Sequence, residues 1–322
     1  KVVTGIRRCG KSTLFKLFQD YLLSNGVKED QIVSINFEDA DFDYLTDYKV
    51  LYEYLKSKLI PDKTVYFFLD EIQNVPNFQK AVDSLYIKKG VDIYITGSNA
   101  FLLSGELATL LSGRYVQIKM LPLSFKEYIS AKDNNIGSDR LFMQYLSEGG
   151  FPYLLELPNE QTKKDYLESI YNAILVKDIM TRSKISESSV LQSIIKFMFD
   201  NVGNMVSSKK IADSLTSFGR KTTSLTAENY VTALCEAFIL YKVGRYDVQG
   251  KQHLKSLEKY YIVDVGLRRL LIGNRNRDIG HILENIVYLR DVYGYGVVGM
   301  RSRCHGTPDG TIQLHDIILR IG

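Results

Sequence analysis

The chain has 322 residues, long for one domain and comfortable for two, and its 45% apolar and 24% charged residues are the balance of a soluble protein with a sizeable core. A net charge of +4 at pH 7 is too mild to require an acidic partner, so where the charge lies matters more than its sum. The distant Cys9, Cys235 and Cys304 exclude a disulfide framework and a zinc knuckle, and no apolar run approaches the length of a membrane-spanning helix.

A reducing cytoplasm fits these features, and no signal-peptide pattern stands at the start. The chain opens inside a strand without a methionine, which points to further residues before Lys1.

From residue 1 to about 130, strand and helix signals alternate, which is the signature of an α/β layered protein. Strands are predicted at 1–4, 32–37, 64–70, 91–96 and 115–120. Runs as continuously apolar as VYFFL require a sheet covered on both faces, hence a parallel, doubly wound one. After the first strand, Leu14, Leu17, Phe18, Tyr21 and Leu22 recur at helical spacing until "SNG" at 24–26.

Gly5, Gly10, Lys11 and Ser12 fit the phosphate-binding pattern G-x-x-x-x-G-K-[ST], between a strand and an amphipathic helix as that pattern demands. The glycines let the backbone fold tightly, its N–H groups converge on phosphate oxygens, and the helix N-terminus adds partial positive charge. Lys11 is expected at the β- and γ-phosphates, Ser12 on magnesium and Thr13 at the α-phosphate. Cys9 lies beside the phosphate-binding amides. Arg7 and Arg8 are expected to face solvent or a neighbouring subunit.

The buried strand VYFFLD ends in Asp70 and Glu71, and two adjacent acids at the tip of an apolar strand are costly unless charge is wanted there. Asp70 is assigned to hold magnesium through water, and Glu71 to orient and deprotonate the attacking water. The next strand leaves Ser98 and Asn99 at the same sheet edge, where ligands of open α/β sheets bind. A polar group there can bond the γ-phosphate or the water. Arg114, before the fifth strand, is read either as a finger on the γ-phosphate, from its own or a neighbouring chain, or as a solvated surface arginine.

Taken together, "VVTGIRRCGKSTL", "INFED", "FFLDEIQNV", "YITGSNAFLLSGELATLLSGRYVQI" and "LPLSFKEY" resemble a large bacterial and archaeal group of AAA-type ATPases. In that group the ATPase domain is followed by a domain of unknown function containing a winged helix. The resemblance continues through "GGFP" at 149–152 and "YYIVDVGLRRLLIG" at 260–273. It implies the roles given to Lys11, Ser12, Asp70, Glu71 and Ser98. It also implies an extra strand between the phosphate-loop strand and the acidic strand, and association through ATPase domains.

Three parts are therefore expected: a P-loop domain of the AAA (ASCE) type over 1–130, a helical and winged-helix domain over 131–275, and a partial C-terminal segment over 276–322. The boundary is placed in the polar stretch 130–139. Residues 189–275 hold 13 Lys or Arg against 7 Asp or Glu, so the positive charge gathers there. Within it, helices at 207–215 and 226–240 precede a hairpin at 240–264 with a basic tip, the order of a winged helix. In a DNA-binding version, residues 207–260 meet the duplex, Lys251 and Lys255 on phosphates, with Lys209, Lys210, Arg220 and Lys221 adding backbone contacts. Many winged helices instead only pack against protein.

Proteins of the resembled group commonly end in a restriction-nuclease-like fold, whose first acidic position Glu284 matches. After Leu289 the chain lacks the Asp and E-x-K that would complete a metal site, and no lysine stands two residues after Asp309 or Asp316. Glu284 is accordingly read as a plain helix residue in an altered or truncated domain. The expected function is magnesium-dependent ATP binding and hydrolysis that repositions the basic winged helix, with DNA and a second copy of the chain as partners. The alternative is a nucleotide-dependent scaffold with little hydrolysis. A small-molecule kinase fits less well, because Glu71 is placed for water and no lid-like arginine cluster stands out.

Overall fold

The computed structural model describes residues 1–100, 114–132, 136–183, 185, 187–244, 257–273 and 279–293, with only the backbone at 182 and 291–293. Its first half is a parallel sheet of β1 (Val2–Gly5), β2 (Ile32–Asn36), β3 (Val65–Asp70), β4 (Val91–Gly97) and β5 (Gln117–Met120). The order is β2-β3-β4-β1-β5, so β4 is the extra strand expected between the phosphate-loop strand and the acidic strand.

Alternation along the strands divides two apolar layers. Val3, Phe68 and Tyr94 face α1 (Lys11–Ser24), whose Phe15 and Phe18 pack on them, Phe15 edge-on to Phe68 at 5.2 Å between ring centroids. Val2, Ile35, Phe67, Leu69, Ile93 and Ile95 face the opposite way, onto Leu51 and Leu55 of α2 (Tyr48–Ser57) and Val82 and Leu85 of α3 (Phe78–Tyr86). Both faces of the sheet are covered, which is why β3 is apolar without interruption.

Beyond β5 come α4 (Phe125–Ser130), α5 (Ser138–Glu148) and α6 (Glu160–Ala173). A π-helical stretch, Ile174–Met180, continues α6 into a last turn at Thr181–Ser183. Then follow α7 (Ser188–Asp200), β6 (Met205–Val206), α8 (Ser208–Ser217), α9 (Ser224–Glu236), β7 (Leu240–Val243), β8 (Glu258–Ile262), α10 (Val265–Ile272) and α11 (Ile279–Tyr293). β6, β8 and β7 form an antiparallel sheet in that order, with Leu240 opposite Ile262 and Val243 opposite Lys259.

In α4, Tyr128 packs on Tyr145 and on Val265 of α10, so the change from sheet packing to helical packing falls just after Met120. The polar stretch 130–139 lies within the helical half. One apolar core runs through that half, and it takes in Ile6 and Cys9 from the turn after β1. Ile6 is fully buried, which stabilises that junction by roughly 1.5–3 kcal/mol. The expected hairpin is present as β7 and β8. Its tip, with Lys251 and Lys255, lies outside the described residues, as do Cys304, Asp309 and Asp316.

Glu284 on α11 accepts hydrogen bonds from Lys259 Nζ (2.8 Å) and the Tyr261 hydroxyl (2.6 Å). The Lys259 hydrogen bond, the largest of the influences on it, holds its carboxyl below the usual range. Its neighbour Asn285 donates to Ile262 O and accepts from Ile262 N–H, pairing with the end of β8 as another strand would. These are the duties of a helix residue docked on a sheet, as the sequence implied.

Candidate functional site

The turn after β1 is shaped by two glycines. A Cβ on Gly5 would lie 2.2 Å from the carbonyl oxygen of Met120 on β5, and Gly10 sits at φ 105°, in the left-handed region. Gly10 thereby heads α1 without a side-chain cap, and no acid stands in the first turn. The N–H groups of residues 11–13 have no intrahelical acceptors, and Ser12 and Thr13 are exposed. An uncapped helix start of this kind is an anion site.

Lys11 is 4% exposed. Its ammonium donates to Gly5 O (3.0 Å) and Ile6 O (3.2 Å) and lies 3.7 Å from Glu71 Oε1. Lysine, phosphate loop and acidic strand end therefore converge, although β4 separates β1 from β3.

Thr96 of β4 fixes the two acids. Its hydroxyl donates to Asp70 Oδ1 and accepts from the backbone N–H of Glu71 (2.9 Å). Glu71 has left-handed backbone angles, φ 53°, a strained position for a non-glycine residue that such sites retain. Gln73 donates its amide to Glu71 Oε2, while its own Oε1 is buried with no partner among the described residues. Sequence reasoning passed over Thr96 and Gln73. Both lie inside stretches it used, two residues from Ser98 and Glu71 respectively, and a threonine at the end of a central strand was the available signal.

A second cluster joins the loop to the helical half. Asp178, in the π-helical stretch, is 2% exposed. It accepts from Arg7 Nε (3.0 Å) and Nη2 (3.3 Å) and from the Ser98 hydroxyl (3.3 Å). Arg7 Nη1 also donates to Glu38 (2.7 Å), just beyond β2. The expectation that Arg7 faces solvent is thus corrected: a guanidinium this buried needs carboxylate partners, and two supply them. Arg8 does face solvent. Burial opposes both charges, yet the Asp178 and Glu38 hydrogen bonds raise the Arg7 pKa, and the Arg7 hydrogen bond outweighs burial to hold Glu38 below the usual carboxylate range.

Of the remaining predicted residues, Asn99 is buried at the end of β4 beside Ser98. The Cys9 side chain packs into the helical core, burial raises its thiol pKa, and its N–H donates to Ile6 O (3.3 Å), so neither group is directed to a ligand. Arg114 is not brought to the loop. It precedes β5 at the opposite sheet edge, where Val2 pairs with Gln117, while the loop lies level with Met120. The length of β5, at about 3.3 Å per residue, and the three residues before it separate these levels. Arg114 pairs instead with Asp83 of α3 at 3.3 Å and is half exposed, which removes the finger role within one chain.

A nucleotide with magnesium fits this donor set. The uncapped helix start and Lys11 suit phosphate oxygens. The exposed Ser12 hydroxyl and the Asp70 carboxylate are hard oxygen ligands suited to magnesium. The unpaired Gln73 Oε1 is an acceptor for a water beside Glu71. Among the described residues no cluster of three or more His, Cys, Asp or Glu forms another metal site, and no helix is long and apolar enough to cross a membrane.

Residues 1–129 match a family described as AAA domain, and residues 139–278 match a domain of unknown function (DUF8612). An uncharacterized protein of Haemophilus influenzae is 42% identical over 293 residues, spanning 90% of this chain and 73% of that protein. The uncharacterized protein MJ1544 of Methanocaldococcus jannaschii is 32% identical over 299 residues, 90% of this chain and 65% of its own length. Among solved structures, the Walker-type ATPase PABY2304 of Pyrococcus abyssi superposes with a TM-score of 0.56 at 14% identity, covering 84% of this chain and 90% of that one. At that identity the likeness concerns the fold.

Proposed function

Because the chain belongs to the family of the Haemophilus influenzae protein and its residues 1–129 match the AAA domain, we propose that it binds ATP with magnesium at the turn after β1 and hydrolyses it. The observation that carries this reading is the convergence of Lys11, Asp70 and Glu71 beside the uncapped start of α1, held in place by Thr96. Bound there, the triphosphate supplies the bond to be broken, and its magnesium ion draws charge from the phosphates.

The chain's own residues do the rest. The N–H groups after Gly10 and the Lys11 ammonium orient the phosphates. Lys11 exchanges two carbonyls and a glutamate for phosphate oxygens, which carry more charge. Ser12 and Asp70 hold the metal, Asp70 through water. Gln73 occupies Glu71 Oε2, which leaves Oε1 to take the proton from the attacking water. Ser98 lies at the end of β4 as a donor to the γ-phosphate or the water.

The reading extends to the helical half. The succession α7, β6, α8, α9, β7, β8 with its antiparallel sheet supports a winged helix. Lys209, Lys210 and Lys221 are exposed around α8 and the turn to α9, which supports contact with DNA phosphates. Arg220 is drawn away, since its guanidinium bonds Ser189 O. ATP turnover then repositions this basic unit on its partner. A copy of the chain is a second partner, and a scaffold that hydrolyses little is the rival reading.

Titration calorimetry of the full chain with ATP and magnesium tests the proposal. Binding is expected for the wild type and its loss for Lys11→Ala. Equal binding and turnover by the variant would remove the site from this turn.

A further inference from the structure

We propose that Asp178 is the positioning residue through which the state of the γ-phosphate reaches the helical half. The proposal rests on the nucleotide reading above and deepens it.

Three features meet at this carboxylate. Its donors come from the two ends of the phosphate-sensing machinery: Arg7 from inside the loop and Ser98 from the strand end. Its backbone belongs to neither, because it sits about 80 residues beyond Ser98 in a stretch packed into the core of the helical half, between Ile174, Leu175 and Ile179. That stretch is π-helical. A π turn differs from an α turn by one residue of register, so a one-residue shift would convert one into the other, the discrete alternative a switch requires.

The Ser98 hydroxyl has one proton to donate. Without a γ-phosphate beside it, that proton goes to Asp178 Oδ1. A γ-phosphate oxygen competes for it with a larger charge, and once Ser98 turns, Asp178 loses that hydrogen bond while Arg7 still holds it. Arg7 shares the loop that wraps the phosphates, and Glu38 holds its other nitrogen. Both of these donors thus respond to the same ligand, and the carboxylate is fixed to the π-helical segment. Differential contact in the two states is the condition for a ligand to drive a change, and the Ser98 proton supplies it.

The test is hydrogen exchange at residues 174–180 in the full chain, with magnesium and either ADP or a non-hydrolysable ATP analogue, after calorimetry has established that both bind. Protection of this stretch is expected to differ between the two nucleotides in the wild type. In Ser98→Ala the difference should vanish while both still bind. Asp178→Asn, which keeps the shape and removes the charge, should lower kcat roughly tenfold with KM changed about threefold or less, the mark of a group acting beyond ground-state binding. A purely structural Asp178 would lower Tm in that variant and leave kcat of the folded protein and the nucleotide-dependent exchange intact. That outcome overturns the proposal, as does identical exchange with ADP and the analogue in the wild type. If neither nucleotide binds, the function proposed above falls first and this inference with it. If Asp178→Asn does not fold, the Ser98→Ala exchange decides alone.

Discussion

The backbone N–H of Gly150 donates to the carboxylate of Asp264 across 2.6 Å, over 114 residues of chain. The other oxygen of Asp264 caps α10 by accepting from Leu267 N–H at 3.0 Å. The buried carboxylate therefore ties the turn after α5 to the start of α10.

Asp264 makes stability depend on pH. Burial pushes its carboxyl up from 3.8 to about 6, against the backbone N–H groups that favour its charge. The folded protein therefore binds more protons than the unfolded chain between these values, and stability falls as pH rises through that window. Chemical denaturation at pH 4, 5 and 6 should show stability falling more, or rising less, with pH in the wild type than in Asp264→Asn, which shares every other carboxylate. Asp264→Ala, which orphans both N–H groups, should be the less stable of the two variants by about 1–3 kcal/mol at pH 7.

Removing Arg7 takes the guanidinium away from the buried Asp178 carboxylate, to which the Ser98 hydroxyl still donates. Arg7→Ala should destabilise the protein by on the order of 3 kcal/mol, read by urea unfolding. A change below about 0.5 kcal/mol, the usual effect of a surface substitution, would mean that the pair is solvated in solution.

Glu71→Gln keeps an oxygen acceptor for the Gln73 amide but has no carboxylate oxygen to take a proton. Phosphate release should fall by roughly 100-fold or more while ATP affinity stays within a few-fold of wild type. Equal basal rates in both proteins would favour the scaffold reading.

If the helical half meets duplex DNA through lysines, affinity should fall steeply with salt. Replacing Lys209, Lys210 and Lys221 with alanine should flatten the log–log slope by roughly 0.9 per lysine. Fluorescence anisotropy from 50 to 200 mM salt gives both slopes, and DNA binding indifferent to salt would exclude this surface.

The strands were legible because a doubly covered sheet writes itself as unbroken apolar runs, and all five stand within two residues of the expected ends. The turn after β1 was legible because phosphate binding tolerates few residues at its key positions. Asp178 was not legible: it lies 171 residues from Arg7, and a single acid in a helix resembles any solvated one. Arg7 was misread for the same reason, since its burial is decided by a segment of the other half. Arg114 shows a further limit, because proximity in sequence to a strand does not say which end of the sheet it occupies.

Thr96 gives the middle strand a task beyond filling the core. Both acids are measured off from one hydroxyl on β4, so a slip of that strand by a single residue would point Thr96 to the other face and unseat Asp70 and Glu71 together. β4 serves as the ruler of the chemistry. Packing changes at Ile93 or Ile95 that a stability assay barely registers are expected to appear first as lost turnover.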